Sequence, residues 1–362
     1  MSMKKFVALS AGGTGGHVFP AEALAKGLSA QGYRIAFVTD RRGGSFTDKF
    51  PDCTELKVNA KGYAGKGIAA KIAALISLGA GVLQCAAFFI KNRPAAVVGF
   101  GGYAAFPASC AAILLRIPLI LHEQNSVLGG ANRVLAPFAT LIATSFEKVA
   151  KIPAKTKTVY TGLPLRPAIL ALKDAPYPAF DKEFNLLIIG GSQGAKIFSD
   201  VIPQALKSLP DNVRAVLKIT QQCRAADLDK VNEAYAQSDL NVETGAFFTD
   251  IPDRLAKAHL VLCRAGASSI AELAAAKRPA IIVPIYRSPD SHQLHNAEAV
   301  VALKGAWLLE EPDFTPENLK NLILELFNDK KRLITAGENI GGFGRTDAAR
   351  RLVDAVVQTT EA

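Results

Sequence analysis

The sequence predicts an α/β protein built from two Rossmann-like domains, each with a parallel sheet, facing a cleft. Short apolar runs alternate with helical stretches along the 362 residues, as strands joined by crossover helices do. Two of these runs open on glycine loops, Gly12-Gly13-Thr14-Gly15-Gly16 and Gly190-Gly191-Ser192-Gln193-Gly194, so the architecture repeats within the chain. Between them, Val159–Arg166 (VYTGLPLR) holds a glycine and a proline, with Pro167 just after it, and marks the boundary. The length suits two domains.

Lys4-Lys5 before Phe6–Leu9 imitates a signal peptide, but the apolar run is too short before the glycines interrupt it. It reads as the first strand of a cytoplasmic protein. The glycine loop follows, and a helix is expected from about Pro20 to Ala30. Glycines let backbone approach a ligand closely, and a helix start offers free N–H groups to an anion. The spacing is not GxGxxG. His17, closing the loop, is the residue with chemistry. Ile35–Val38 is the next strand, with Asp40 after it.

Ala64–Ile90 is unusually apolar; from Ile72 to Ile90 only Ser77 and Gln84 are clearly polar. Lys66 and Lys71 precede it; Lys91 and Arg93 follow. It reads as a core-packed helix pair broken near Gly79-Gly81, as an apolar patch resting on an anionic membrane with Leu75 and Phe88 on it, or as a span. The span is disfavoured, because it would put successive loops on opposite sides of a bilayer. Ala95–Phe100 is a strand leading into Gly99-Phe100-Gly101-Gly102-Tyr103. A helix, Ala108–Leu115, follows, then a buried strand, Pro118–Leu121. That strand delivers His122-Glu123-Gln124-Asn125, consecutive polar residues at a strand end, where parallel sheets bind ligands. Gly130–Leu135 is helical and Leu141–Thr144 a strand. Arg166 stands where two domains meet.

In the second half, Asn185–Ile189, Val213–Ile219 and Val242–Phe248 read as strands. Arg224–Tyr235 and Asp253–Ala258 read as helices. Leu260–Cys263 is a buried strand, Arg264–Gly266 a loop, and Ser268 or Ser269 a helix cap. That helix carries Glu272 and ends near Lys277-Arg278-Pro279. A further strand, Ala280–Val283, leads through a polar loop to a helix with Gln293 and Asn296 on one face. Trp307–Leu309 is a last strand; Pro316–Phe327 and Arg345–Gln358 are helices.

The net charge is +10, with 49% hydrophobic and 20% charged residues. Such a balance suits phosphorylated ligands or anionic membrane. No basic run or aromatic-interleaved patch supports nucleic-acid binding. Five scattered cysteines point to a reducing compartment and no zinc site.

Taken together, GGTGGH at 12–17, GFGGY at 99–103, HEQN at 122–125, GGSQGA at 190–195, RAGASSIAE at 264–272 and DSHQLHNA at 290–297 resemble the MurG family of GT-B glycosyltransferases. The similarity covers nearly the whole chain, in order. It implies a GT-B fold, with residues 1–163 as an acceptor- and membrane-binding domain and 164–344 as the UDP-GlcNAc-binding domain. The helix of 345–362 would pack back on the first. The implied reaction is inverting transfer of N-acetylglucosamine from UDP-GlcNAc to the C4 hydroxyl of the muramoyl sugar of lipid I, giving lipid II. The implied location is the cytoplasmic face of the inner membrane, docked through about 68–91, with cell-wall synthesis and division proteins as partners.

Carried over by position, Thr14, Gly15 and Gly16 approach the donor, Tyr103 lies on the acceptor side, and Asn125 contacts the transferred sugar. Arg166 reaches the nucleotide and Ser192 the phosphates. Phe248 stands at a backbone contact to uracil, where the side chain is usually aliphatic. Ala267, Ser268 and Ser269 begin a helix facing the diphosphate, Glu272 binds the ribose and Gln293 the sugar hydroxyls. Position 163 is Leu where Asn is common, and His292 stands where some members have Gln.

On the residues' chemistry, a helix N-terminus and Arg166 stabilise charge growing on UDP. No DxD-like cluster appears, so neither an obligatory metal nor another cofactor is expected. The base is His17 or Glu123, with His17 preferred because its pKa suits neutral pH. Rival readings are a GT-B enzyme acting on another lipid, a dinucleotide-dependent oxidoreductase and a non-catalytic scaffold.

Overall fold

A computed structural model of the chain describes residues 5–12, 15–40, 50, 53–60, 68–191 and 194–361. It divides into two units, Met1–Arg166 with Arg345–Ala362, and Pro167–Gly344.

In the first unit the elements run β1 (Phe6–Ser10), α1 (Gly15–Ala30), β2 (Arg34–Thr39), β3 (Thr54–Lys57), α2 (Ile68–Asn92), β4 (Ala96–Gly99) and α3 (Ala105–Leu114). Then come β5 (Leu119–Glu123), α4 (Gly130–Leu135), β6 (Leu141–Thr144) and β7 (Thr158–Tyr160). The sheet order is β3-β2-β1-β4-β5-β6-β7, and every pairing is parallel. Inner strands such as β1 and β4 are buried at every residue, which is why they read as unbroken apolar runs. The strand order reverses between β1 and β4, and a crevice at such a reversal is where open α/β sheets take ligands.

The second unit repeats the plan. It runs α5 (Pro167–Leu170), β8 (Phe184–Ile189), α6 (Lys196–Lys207), α7 (Asp211–Arg214), β9 (Leu217–Gln222), α8 (Leu228–Ala236), β10 (Asn241–Gly245) and α9 (Ile251–Lys257). It continues with β11 (Leu260–Cys263), α10 (Ala267–Ala276), β12 (Ala280–Ile282), α11 (His292–Val301), β13 (Ala306–Leu308), α12 (Pro316–Asn328) and α13 (Lys330–Gly341). Sheet order is β10-β9-β8-β11-β12-β13, again parallel throughout, with the reversal between β8 and β11. The final helix, α14 (Ala348–Glu361), belongs to the first unit. Leu352, Val353 and Val356 join the core of β1, β2 and α1. Gly27 lets α14 come close, since a Cβ there would stand 2.5 Å from Val353 Cγ2.

Several local expectations are corrected. Helix α1 begins at Gly15, not near Pro20. The proline is a strong start signal, but here it sits inside the helix, and tertiary packing carries the glycines into the first turn. Gly79 and Gly81 do not break α2, which is one 25-residue helix. Gly81 serves close packing, because a Cβ there would lie 2.3 Å from the Asn59 carbonyl oxygen. Nor is α2 a core helix. Ala74, Cys85 and Phe89 are buried, while Ile72, Leu75, Ile76, Leu83 and Ile90 are exposed. Its Ile72–Asn92 stretch is long and apolar enough to cross a membrane, yet one face is packed within the unit. Phe88 also leaves the exposed face, its ring 6.2 Å from that of Phe6.

The residue capping α10 is Gly266, in an extended conformation with no side-chain cap, and not Ser268 or Ser269. At the other end Lys277 adopts a left-handed φ of 54°, and Arg278 is fully buried. Its guanidinium donates to the Leu255 and Ala256 carbonyls of α9 and the Ala276 carbonyl of α10. One cation thereby satisfies the open C-terminal carbonyls of both helices.

Candidate functional site

Each unit gathers its polar residues where its sheet reverses direction. In the first unit His17 lies in the opening turn of α1. Its imidazole rests on the loop after β4: a Cβ on Gly101 would be 3.2 Å from His17 Cε1, and one on Gly102 3.6 Å from Cδ2. Both glycines have positive φ, 89° and 75°, so this seat for the ring demands glycine twice over. Burial lowers the His17 pKa from its ordinary 6.5; the charge of Glu123, the Phe100 carbonyl and the Gln124 side chain oppose the shift. The ring is therefore neutral at pH 7, as a proton acceptor must be.

The end of β5 braces this arrangement. Glu123 is 3% exposed. Its Oε1 accepts from the Asn125 backbone N–H at 3.0 Å and from Asn125 Nδ2 at 3.2 Å. Its Oε2 accepts from the Gly129 N–H at 2.9 Å and from Asn132 Nδ2 at 2.8 Å. A carboxylate has about four acceptor sites, and here all are engaged, so Glu123 holds the loop and the Asn125 amide rather than offering a lone pair outward. Gln124 Nε2 donates to the Phe100 carbonyl at 3.0 Å, joining the β4 and β5 loops. His122 is buried beside Phe100, with ring centroids 5.2 Å apart, and desolvation pushes its pKa down to about 3. Tyr103 is 38% exposed in the same β4 loop. The Arg166 guanidinium lies 5.4 Å above the Phe19 ring of α1. Gly15 and Gly16 open α1; a Cβ on Gly15 would be 2.8 Å from Phe19. Thr14 lies outside the described residues.

In the second unit, the loop after β8 turns through Gly191 (φ 84°) and Gly194 (φ 67°). Ser192 lies outside the described residues. Gly194 abuts Arg224, whose Cγ would be 2.7 Å from a Cβ there. Arg224 is held by Asp227 through bonds of 2.6 and 2.7 Å. Phe248 is buried, with the Arg254 guanidinium 4.1 Å over its ring. Its side chain packs beneath the loop, consistent with any ligand contact there being made by backbone.

At α10, Ala267, Ser268 and Ser269 form the first turn behind Gly266. With no side-chain cap, the first N–H groups of this turn are available to an anion. Glu272 is half-buried further along the same helix. Gln293 Oε1 accepts from the Ile285 N–H at 3.0 Å. A backbone N–H can only donate, so the amide orientation is set and Nε2 is the end that can serve a ligand oxygen. Backbone before α11 is strained, with Arg287, Asp290 and Ser291 at φ of 57°, 55° and 51°, as functional loops often are.

Two residues inside the sequence motifs, given no site role there, support these elements. Asn296 is fully buried and donates to the Ala265 carbonyl at 3.1 Å, tying α11 to the loop before α10. Arg264 donates to the Val283 carbonyl at 3.1 Å and pairs with Glu311 at 2.6 Å. Their partners are distant in sequence, so these particular contacts are not announced locally.

Comparison with known proteins identifies the family. Residues 7–144 match the glycosyltransferase family 28 N-terminal domain and residues 185–352 its C-terminal domain. A UDP-N-acetylglucosamine–N-acetylmuramyl-(pentapeptide) pyrophosphoryl-undecaprenol N-acetylglucosamine transferase of Paramagnetospirillum magneticum is 46% identical, over 98% of this chain and 97% of that protein. The enzyme of the same name from Rhodospirillum centenum is 45% identical, over 99% and 95%. A crystal structure of MurG from Acinetobacter baumannii is 30% identical, covers 98% of this chain and 99% of its own, and superposes with a TM-score of 0.81. The fold is thus the two-domain GT-B α/β fold. On this sequence and structural kinship, the chain belongs to the MurG family within glycosyltransferase family 28.

Proposed function

We propose that the chain transfers N-acetylglucosamine from UDP-N-acetylglucosamine to lipid I, giving lipid II and UDP. The relatives' names support the substrates. The observation that carries the reading is the uncapped start of α10, with Glu272 on the same helix and a Gln293 amide held with its Nε2 available. An anion, a vicinal diol and a sugar hydroxyl are the ligand groups these three features suit.

In this mechanism the C4 hydroxyl of the muramoyl sugar attacks the anomeric carbon from the face opposite UDP. The new C–O bond forms as the bond to the diphosphate breaks, and configuration inverts. His17 takes the hydroxyl proton. UDP departs with the bonding electron pair. Its growing charge meets the Ala267–Ser269 N–H groups, Ser192 and the Arg166 cation, worth about 0.3–2 kcal/mol from the dipole and more from oriented hydrogen bonds. Glu272 accepts from the ribose hydroxyls, Gln293 donates to the sugar and Asn125 contacts it. We assign neither an obligatory metal nor a cofactor to the transfer step. Glu123 serves as the fixed negative neighbour of His17 rather than as the base, since its oxygens are engaged.

The exposed apolar side of α2 docks the enzyme on the cytoplasmic face of the membrane, with Lys91 and Arg93 beside it for anionic lipid. The test is radiolabelled sugar transfer from UDP-GlcNAc to lipid I, with UDP-glucose and UDP-GalNAc as competitors. Label must enter the lipid fraction from UDP-GlcNAc and be spared by either competitor; an unlabelled lipid fraction would sink the proposal.

A further inference from the structure

One cavity of the second unit is not used by this chemistry. It measures about 490 Å³ and is lined by Lys304, Trp307, Asp329, Lys331, Arg332 and Asn339, among others. Its position sets it apart from the donor residues. They follow the C-terminal ends of β8, β11 and β12, whereas Lys304 and Trp307 lie where the chain enters β13, a strand parallel to its neighbour. The cavity is therefore at the opposite edge of the sheet. Its volume falls in the range of about 300–1,000 Å³ typical of small-molecule sites.

The lining carries an excess of positive charge. Three cations face one carboxylate. Asp329 is already engaged, its Oδ1 accepting from the Arg332 N–H at 2.9 Å. Arg332 pairs with Glu325 and lies 5.4 Å over the Trp307 ring. Lys304 and Lys331 have no ion pair among the described residues. The Lys304 carbonyl accepts from Asn339 Nδ2 at 3.4 Å, fixing that lysine's backbone at the rim. Two unpaired ammonium groups and a guanidinium around a half-buried indole form a surface that a multivalent anion with an apolar part would complete.

We propose that this cavity binds a phosphorylated anion, with Lys304, Lys331 and Arg332 holding the phosphate and Trp307 covering the organic part. The proposal is independent of the transferase reading, and its readout is independent of turnover. Trp307 is the only tryptophan in the chain, so intrinsic fluorescence reports this cavity directly. The full chain is titrated with pyrophosphate, UDP and uridine at constant ionic strength, as wild type and as Lys304→Glu, Lys331→Glu and Glu272→Ala. A saturable fluorescence change with pyrophosphate or UDP is expected, weakened about tenfold or more by either lysine reversal and retained in Glu272→Ala. Pyrophosphate alone sufficing would identify free phosphate as the source; a need for UDP would identify a nucleotide. Both lysines are exposed, and unchanged circular dichroism and thermal midpoint of the apo variants would show that they fold. The proposal is overturned if no phosphate compound changes the emission, if uridine acts as well as UDP, or if the response is lost in Glu272→Ala and kept in the lysine variants.

Discussion

The two histidines of the first unit show how burial sets residue chemistry. If His17 is the base, its lowered pKa puts the acid limb of kcat/KM below pH 6.5. Glu123 raises that pKa, so Glu123→Gln should move the limb to still lower pH; a limb unmoved in this variant would remove Glu123 from the role given it. His122 contributes differently. With its folded pKa near 3, it is neutral in the folded protein and takes a proton on unfolding below about pH 6.5. Its contribution to stability is complete above that pH and is lost as pH falls toward 3, by about 1.4 kcal/mol per pH unit. Urea midpoints measured between these limits should fall with pH and should fall less steeply in His122→Gln. Much of this site was legible in the sequence. HEQN announces itself as four polar residues at a strand end, and His17 as the one titratable residue of a glycine loop. The division of labour inside HEQN was not legible. It depends on Asn132 and Gly129 reaching back to Glu123, and on Gln124 reaching across to Phe100.

At the scale of elements, strands were readable because burial on both faces leaves an unbroken apolar run, as in Phe6–Ser10 and Leu260–Cys263. Helix ends were less so. Pro20 and the Ser268-Ser269 pair are strong local signals, and tertiary packing overrode both. Helix α13 starts on Lys330, Lys331 and Arg332 with no acidic residue in its first turn, the reverse of the charge bias that marks a helix start. Helix α2 shows what a composition argument lacks. Apolar content alone does not say which side faces out, and the structure separates Leu75 and Leu83, 71% and 72% exposed, from Phe88 packed on Phe6. Changing both leucines to Ser should therefore weaken binding to vesicles containing anionic lipid, leave transfer to a soluble acceptor intact, and alter folding stability by no more than about 0.5 kcal/mol each. Vesicle binding equal to wild type would remove α2 as the docking element.

For the whole molecule, the decisive feature is that the chain ends in the unit where it began. The repeated glycine loops taken alone suggest two self-contained halves, while the family resemblance implies that the last helix returns to the first; in the structure α14, from the far end of the chain, belongs to the first unit. Gly162, with φ of 78°, accepts this return closely: a Cβ there would be 2.5 Å from Arg345 Cβ. Leu352 is fully buried in the core formed with Val7, Leu24 and Phe37. Truncating such a side chain costs about 2–5 kcal/mol from lost transfer energy and residual cavity, a large share of what holds a typical domain together. Because two units need not unfold together, the measurement should resolve them. Hydrogen exchange of Leu352→Ala is expected to accelerate in β1, β2 and α1, which share this core, and to stay at wild-type rates in β8, β11 and α10. UDP affinity, assigned by the proposed function to α10 and Glu272 of the second unit, should change little, while transfer to lipid I falls with the population of folded first unit. Uniform acceleration across both units would show that α14 stabilises the chain as one cooperative body. Unchanged exchange in β1 and α1 would show that the helix is not part of the first core at all.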